Sequence, residues 1–445
     1  MLLAVSPAQS TLYDQIKYSG SPSNFAWVLP IKGIVQVGLS ADVLFDSVAS
    51  LTDTVINPPP LNCPLPNCYA QNASLVGGAG GGGFSDLAPA PPPQVSVLVA
   101  QNVGPYATVQ LRSTDPNALD NWLAQNGYDI PTAVKPILAA YVAEGFDFLA
   151  MKLLPGQGVQ SMRPVRVTTP GASLSLPLRM ASIGTGAVTG ITIWVVGDGR
   201  YEPKNFSFFH IDDAALVWDF ATSSSNYTTV RAQKEASLKN AGWEIESSIN
   251  LNEQAITNVI QSGGQYYGPG LNPSTVSDPS LDYLPIGDAD AGVDGGYETA
   301  EQVRADDIAA LFVGMNGPTV RVTRIRSDIA QTAMTKDFVV TASSDQSEVS
   351  NVRNLTNSVN ATCPIYNGCN IVGQGTPAQA AASIAGGALL MANTSLNPTG
   401  SSGHKSGGCA TSAPGDAGSG LGLGALAALL GVVIGRAVRA RRRSV

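Results

Sequence analysis

The chain has 445 residues, enough to bury a large core in one big domain or two smaller ones. Only 13% of them are charged while Gly (47) and Pro (30) are plentiful, a bias towards β-rich extracytoplasmic proteins and away from cytosolic helical enzymes. Arg436, Arg439, Arg441, Arg442 and Arg443 crowd the C-terminus; without them 20 basic residues face 33 acidic ones, and a body of net charge −13 argues against binding nucleic acid.

From the start, Met1–Ala8 (MLLAVSPA) has a four-residue apolar run and no basic opening, so it does not qualify as a secretory signal. Leu12, Asp14, Ile16 and Tyr18 then alternate with their neighbours, and Phe25–Leu29 returns as a second strand after a turn. Ser40 predicts a capped helix carrying Leu44, Val48 and Leu51. Residues 57–93 are a Pro- and Gly-rich insertion, too full of breakers for a core. Order resumes with Val95, Val97 and Val99, then Ala107, Val109 and Leu111. Asp115 as cap and Pro116 at the first position predict a helix that buries Leu119, Trp122 and Leu123 and stops at Gly127. A second helix over 133–144 carries Val134, Ile137, Leu138 and Tyr141 and ends at Gly145. Phe146–Leu153, Val165–Thr168, Leu174–Met180 and Ile191–Val196 read as strands. The expected fold is α+β, with largely antiparallel sheet layers and a few packed helices, split over residues 1–56 and 94–350.

Residues 351–416 form a Ser/Gly/Asn-rich spacer, and Ala417–Gly435 is a run of 19 apolar or small residues, long enough for a transmembrane helix. The arginines that follow place the C-terminus in the cytoplasm and the body outside. This tail resembles the myxobacterial sorting signals called MYXO-CTERM, in which a cysteine among small residues precedes a short hydrophobic helix and arginines. The resemblance implies that Cys409 is a processing position read by a membrane-embedded sorting protease. An exported body without a signal peptide implies that Met1 is an internal start, with the signal lying upstream.

Cys63/Cys68 (CPLPNC) and Cys363/Cys369 (CPIYNGC) are local pairs in loop sequence, expected to close as two small disulfides; a zinc site from both pairs is the alternative, without the usual CxxC spacing. The order of Asp14–Pro30, Gly104–Pro131, Tyr141–Leu153 and Ile193–Phe206, with Thr323–Arg326 and Asp345–Asn351 (DQSEVSN) further on, resembles the bacterial domain of unknown function 2330. That resemblance implies an exported domain and names no reaction.

His210 and His404 are the two histidines, and His210 alone lies in the predicted body; it follows Phe206–Phe209 and lacks a GxSxG serine elbow to serve. Asp198 and Glu202, in the turn Gly197–Glu202, are candidates for acid/base work, although Asp-Gly is equally a hairpin signal. Asp288, Asp290, Asp294 and Glu298 have the flavour of a calcium loop but fail its register. Gly184–Gly190 has the wrong spacing for a dinucleotide fingerprint, and no cofactor is expected. The leading expectation is a non-enzymatic, surface-displayed or envelope-anchored protein with a binding or structural role. The alternative is an extracytoplasmic hydrolase or metal-dependent enzyme using Asp198, Glu202 and His210.

Overall fold

The computed structural model describes residues 1–15, 25–66, 96–128, 130–183, 185–262 and 300–384. In chain order its main elements are β1 (Leu2–Val5), β2 (Gln9–Asp14), β3 (Ala26–Ile31), β4 (Gln36–Leu39), α1 (Asp42–Thr52), β5 (Ser96–Val103) and β6 (Tyr106–Arg112). Then come α2 (Pro116–Gln125), α3 (Lys135–Ala143), β7 (Asp147–Leu153), β8 (Val165–Pro170) and β9 (Val188–Gly197). The second half adds α4 (Tyr227–Ser237), β10 (Trp243–Asn252), α5 (Glu253–Gln261), α6 (Ala300–Phe312) and β11 (Thr319–Ala330).

Eight strands make the main sheet in the order Phe208–Phe209, β10, β11, β9, β1, β2, β8, β4, and four make a second sheet in the order β3, β7, β6, β5. All neighbours are antiparallel except β1 with β9 and Phe208–Phe209 with β10, so the α+β expectation of a largely antiparallel sheet holds. The apolar opening run of the chain becomes β1, buried in the middle of the main sheet.

A two-residue period divides the interior between the faces of this sheet. Leu3, Val5, Ile191, Ile193 and Val195 join one core with Val109, Phe148 and the inner faces of α2 and α3. Leu2, Ala4, Trp194 and Val196 join the other, with α1, α5 and α6. Buried on both faces, the central strands read as nearly unbroken apolar runs. The α2 start and stop follow the predicted chemistry: the Asp115 carboxylate accepts from the Asn117 N–H at 2.8 Å, and Gly127, at φ +79°, leaves the helix in the left-handed region where only glycine is unstrained. Leu174–Met180 departs from the expected strand: only Ser175–Leu176 is extended, and a short helix takes over at Leu178. Among the described residues no helix is long and apolar enough to cross a membrane. The predicted span over 417–435, Cys409, and Arg436, Arg439, Arg441, Arg442 and Arg443 lie outside the described residues, as does most of the 57–93 insertion.

The cysteines pair differently from the expectation. Cys63 is bonded to Cys363 across 300 residues, and Cys369 is itself disulfide-bonded, which excludes both Cys63–Cys68 and Cys363–Cys369; Cys68 lies outside the described residues. The physical reason is a parallel ladder: Val55–Asn57 pairs with Val352–Asn354, so the chain just beyond each strand runs side by side and brings the two distant cysteines together. Closing a loop this long removes more unfolded-state entropy than closing a hairpin-sized one. Non-reducing digestion should therefore release one cross-linked peptide pair carrying Cys63 and Cys363. Cys63→Ser, Cys363→Ser and the double change should each lower stability by about the same 3–5 kcal/mol, because all three remove one bond; losses that add in the double variant would mean that each cysteine is bonded within its own loop.

Candidate functional site

The outer edge of β10 is covered at its first two residues and again at Ser248, and is open between them. Phe208–Phe209 pairs with Trp243–Glu244, and Val349 forms an isolated bridge to Ser248. Between these contacts the β10–β11 register shifts at Ile245/Ser247, placing Glu246 in a bulge. Over that gap lies a cleft of about 680 Å³ with one wall from residues 208–213, the other from 345–353, and Ile245 at its base. Its size is within the range of natural ligand sites, roughly 300–1,000 Å³.

Three arginines hold the walls. Arg353, almost wholly buried, donates through Nη1 to the Ile211 carbonyl at 2.9 Å and Asp213 at 3.0 Å, and through Nη2 to the Glu246 carbonyl at 3.2 Å. One guanidinium thus ties both walls to the bulged edge of the sheet. Arg200 reaches Asp345 at 2.8 Å, while its own N–H and C=O are met by the Gln346 side chain at 2.8 and 3.3 Å. Arg321 donates to the carbonyls of Ser248, Ser347 and Gln346 at 3.2–3.3 Å. The DQSEVSN segment is therefore pinned along the β10 edge, with Glu348 accepting the Asn250 N–H at 3.0 Å.

His210 lines this cleft, and its ring makes no hydrogen bond to the described residues. Although the residue is exposed overall, partial burial lowers its pKa below 6.5, with Arg353 and Arg200 adding to the effect and Asp212 and Asp213 opposing it. The ring is thus neutral near pH 7, able to donate from one nitrogen and accept at the other. Asp198 and Glu202 do not join it. Asp198 accepts from the main-chain and side-chain nitrogens of Asn316 at 2.8 and 2.5 Å, Glu202 accepts from Ser343 Oγ at 2.5 Å, and neither lines the cleft. The Gly197–Glu202 segment is a bend and not the hairpin its Asp-Gly pair suggests: Val188–Gly197 stays in the main sheet, whereas Tyr201–Pro203 leaves it to pair with Phe338–Ala342. Asp288, Asp290, Asp294 and Glu298 lie outside the described residues.

Beneath the cleft is a charged layer that sequence reasoning missed. Glu246 accepts from Arg324 Nε at 2.5 Å and lies 3.6 Å from Arg231 Nη1; Arg324 also meets Asp53 and stacks 5.4 Å from the Trp194 ring, and Arg231 meets Asp328 at 2.9 Å. Tyr227 Oη lies 3.0 Å from Glu244 and 3.3 Å from Glu246. Glu244 is wholly buried, and its Oε2 has no partner among the described residues. Burial, and then the neighbouring Glu246, push its pKa up to about 7. A signal existed: acids alternate with apolar residues in Trp243–Glu246 and arginines flank Ile325 at 324 and 326, so pairing the two strands sets Glu244 opposite Arg326 and leaves the bulged Glu246 within reach of Arg324.

A family model described as an uncharacterised protein conserved in bacteria matches residues 3–266. The match takes in the 208–213 wall, the base of the cleft and the Glu244–Glu246 pair, and ends before the 345–353 wall. No curated protein and no solved structure matches the chain.

The raised pKa of Glu244 fixes a sign. The folded state favours the protonated carboxyl, so this group's contribution to stability is fully present below its ordinary 4.5 and is lost as pH rises through about 7. Glu244→Gln keeps the shape without the titration. Thermal unfolding of the two proteins from pH 4.5 to pH 8.5 should show the variant gaining on the wild type as pH rises; a gap that stays constant would mean that Glu244 titrates as an ordinary carboxyl.

Proposed function

We propose that this chain, which belongs to the DUF2330 family of uncharacterised proteins conserved in bacteria, is an exported, envelope-associated binding protein whose ligand sits in the cleft between residues 208–213 and 345–353. The observation that carries this reading is the division of labour inside the cleft. Arg200, Arg321 and Arg353 are committed to fastening its walls, whereas His210 and the exposed edges of Phe208 and Val352 are left facing the space they enclose. Preformed walls spare a ligand the cost of ordering them, which suits binding. That Asn316 holds Asp198 and Ser343 holds Glu202, both outside the cleft, supports binding over the enzyme alternative.

Export is supported by the cysteines. A disulfide from Cys63 to Cys363, with Cys369 bonded as well, belongs to a protein that passes through an oxidising compartment. The apolar run 417–435 and the arginines behind it supply a membrane helix and its orientation, and Cys409 supplies the position for a sorting protease of the MYXO-CTERM kind.

Ser347→Trp tests the site. It fills the cleft with an indole and gives up the Ser347 hydroxyl's bond to Asp345, while the main-chain carbonyl that accepts from Arg321 at 3.3 Å is kept. A panel of peptides, amines, sugars and organic acids is screened by thermal shift against the wild type and this variant. A ligand at 100 times its Kd adds about 2.7 kcal/mol, a rise of roughly 5 °C for a domain of this size. Compounds that stabilise the wild type should leave Ser347→Trp unmoved; equal shifts in both proteins would place binding elsewhere.

A further inference from the structure

We infer that a proton held between Glu244 and Glu246 sets how firmly the two walls of the cleft are fastened, so that the cleft is regulated by pH. The inference rests on the cleft being the binding site and adds what controls it. Tyr227 Oη lies 3.0 Å from Glu244 Oε1 and 3.3 Å from Glu246 Oε1. With both carboxylates ionised, these three oxygens share one phenolic hydrogen, which can point squarely at one carboxylate only. A proton on Glu244 supplies the missing donor: Glu244 donates to Tyr227, and Tyr227 donates to Glu246. Glu246 is the member that stays charged, because Arg324 and Arg231 face it. The other charged and titratable groups around Glu244 are Arg231 and Glu235 on α4, Arg324, Arg326 and Asp328 on β11, and His210 and Arg353 on the walls. Each arginine already has an acid: Arg231 and Arg326 have Asp328 at 2.9 and 3.5 Å, Arg324 has Glu246 and Asp53, and Arg353 has Asp213 at 3.0 Å. No cation bonds Glu244 among the described residues, and its buried Oε2 is without a partner.

Two routes carry this state to the cleft. The Tyr227 ring is packed with Ile211, Leu216 and Leu355, and Phe209, the ladder partner of Glu244, lies against the same cluster. Ile211 belongs to one wall, and Leu355 follows directly on Val352–Asn354, the strand that begins within the other. The second route is Arg353. Arg231 and Arg353 are the cations whose charge reaches Glu244, and the Nε of each is buried without a partner. An ionised Glu244 therefore pulls on the guanidinium that ties both walls to Glu246. Losing the proton slackens the walls without undoing them: Arg200 still holds Asp345, Arg321 still holds the carbonyls of Gln346 and Ser347, and Cys63 stays bonded to Cys363. The sign follows from the raised pKa. Fastened walls favour the protonated carboxyl, and slack walls let water return it towards its ordinary 4.5, so the fastening is complete below 4.5 and is lost as pH rises through about 7.

Amide hydrogen exchange of the full chain, read by peptide mass spectrometry at pH 5 and pH 8 with times scaled to the intrinsic rate, needs no ligand. Protection of 208–213 and 345–353 in the wild type should fall about tenfold or more between the two pH values. Glu244→Gln, which cannot ionise, should lack that fall. His210 titrates in both proteins, so the difference between them is the measure. The β6–β7 pair of the second sheet should exchange alike in both, which also checks that the variant is folded; Glu244→Met serves if Glu244→Gln is not. A fall of equal size in wild type and variant, no fall in either, or a difference as large in β6–β7 as in the walls overturns the inference. The panel separates it from the reading it rests on. A compound that stabilises the wild type and not Ser347→Trp should lose about tenfold more affinity between pH 6 and pH 8 in the wild type than in Glu244→Gln, because the competent form is then the minor one. Equal losses overturn the regulation and leave the cleft as the site. Walls that respond to pH while no compound distinguishes Ser347→Trp overturn the cleft reading instead.

Discussion

Glu246 sits where β10 slips against β11, and a carboxylate at that depth has to be neutralised before the strand can be buried. Arg324 and Arg231 supply the charge, and each is itself held by a further acid, Asp53 or Asp328. A buried ion pair often adds little net stability, because desolvating both partners costs about as much as their attraction returns. Its effect is instead on geometry. The charged groups have few arrangements that satisfy them all, so the slip is fixed at one residue and the main chain of Glu246 turns its carbonyl outward to Arg353. Removing one member would leave the others charged in the interior with fewer partners, a larger loss than the pair's own net contribution.

From that carbonyl the constraint passes to the surface. Arg353 fixes Ile211 and Asp213, and its strand, Val352–Asn354, is paired with Val55–Asn57 and stapled farther on by Cys63–Cys363. The 345–353 segment is therefore loop-like in sequence and strand-like in restraint. Its residues Gln346, Ser347 and Glu348 are each bonded to groups on β10, on β11 or in the turn at Arg200. A cleft built this way keeps its shape before any ligand arrives. That separates it from sites formed by mobile lids, whose closing has to be driven by binding energy.

Much of the fold was legible because local chemistry and tertiary packing agree there. The Asp115–Pro116 start, the Gly127 stop, and the alternating or fully apolar strands at 147–153 and 188–197 each follow from a rule that needs only a few neighbouring residues. The site was less legible. His210 stood out as a rare titratable residue, and the structure does place it in a cleft. Its partners were sought among nearby acids in the chain, yet the residues opposite it come from more than 130 positions away. The DQSEVSN segment carries a resemblance to a family, and nothing in its seven letters says that it forms a wall. Arg353 carries no local pattern; its role appears once β10 has a bulge for it to bind.

The cysteines show the same limit in its sharpest form. Spacing favours Cys63 with Cys68, since a short loop closes with little entropy lost, and that reasoning is sound for an unfolded chain. Oxidation in a folded or folding chain obeys proximity instead, and the Val55–Asn57 ladder with Val352–Asn354 makes positions 300 apart into neighbours. Parallel pairing of remote strands has no signature at either strand alone, because each needs only to be extended. Val55–Asn57 and Val352–Asn354 are a two-stranded unit of three residues a side, too small to persist unaided. Tying their exits together converts a marginal ladder into a fixed support for the wall that Arg353 anchors from the other side, so the 345–353 segment is held at both faces and the cleft stays open between them.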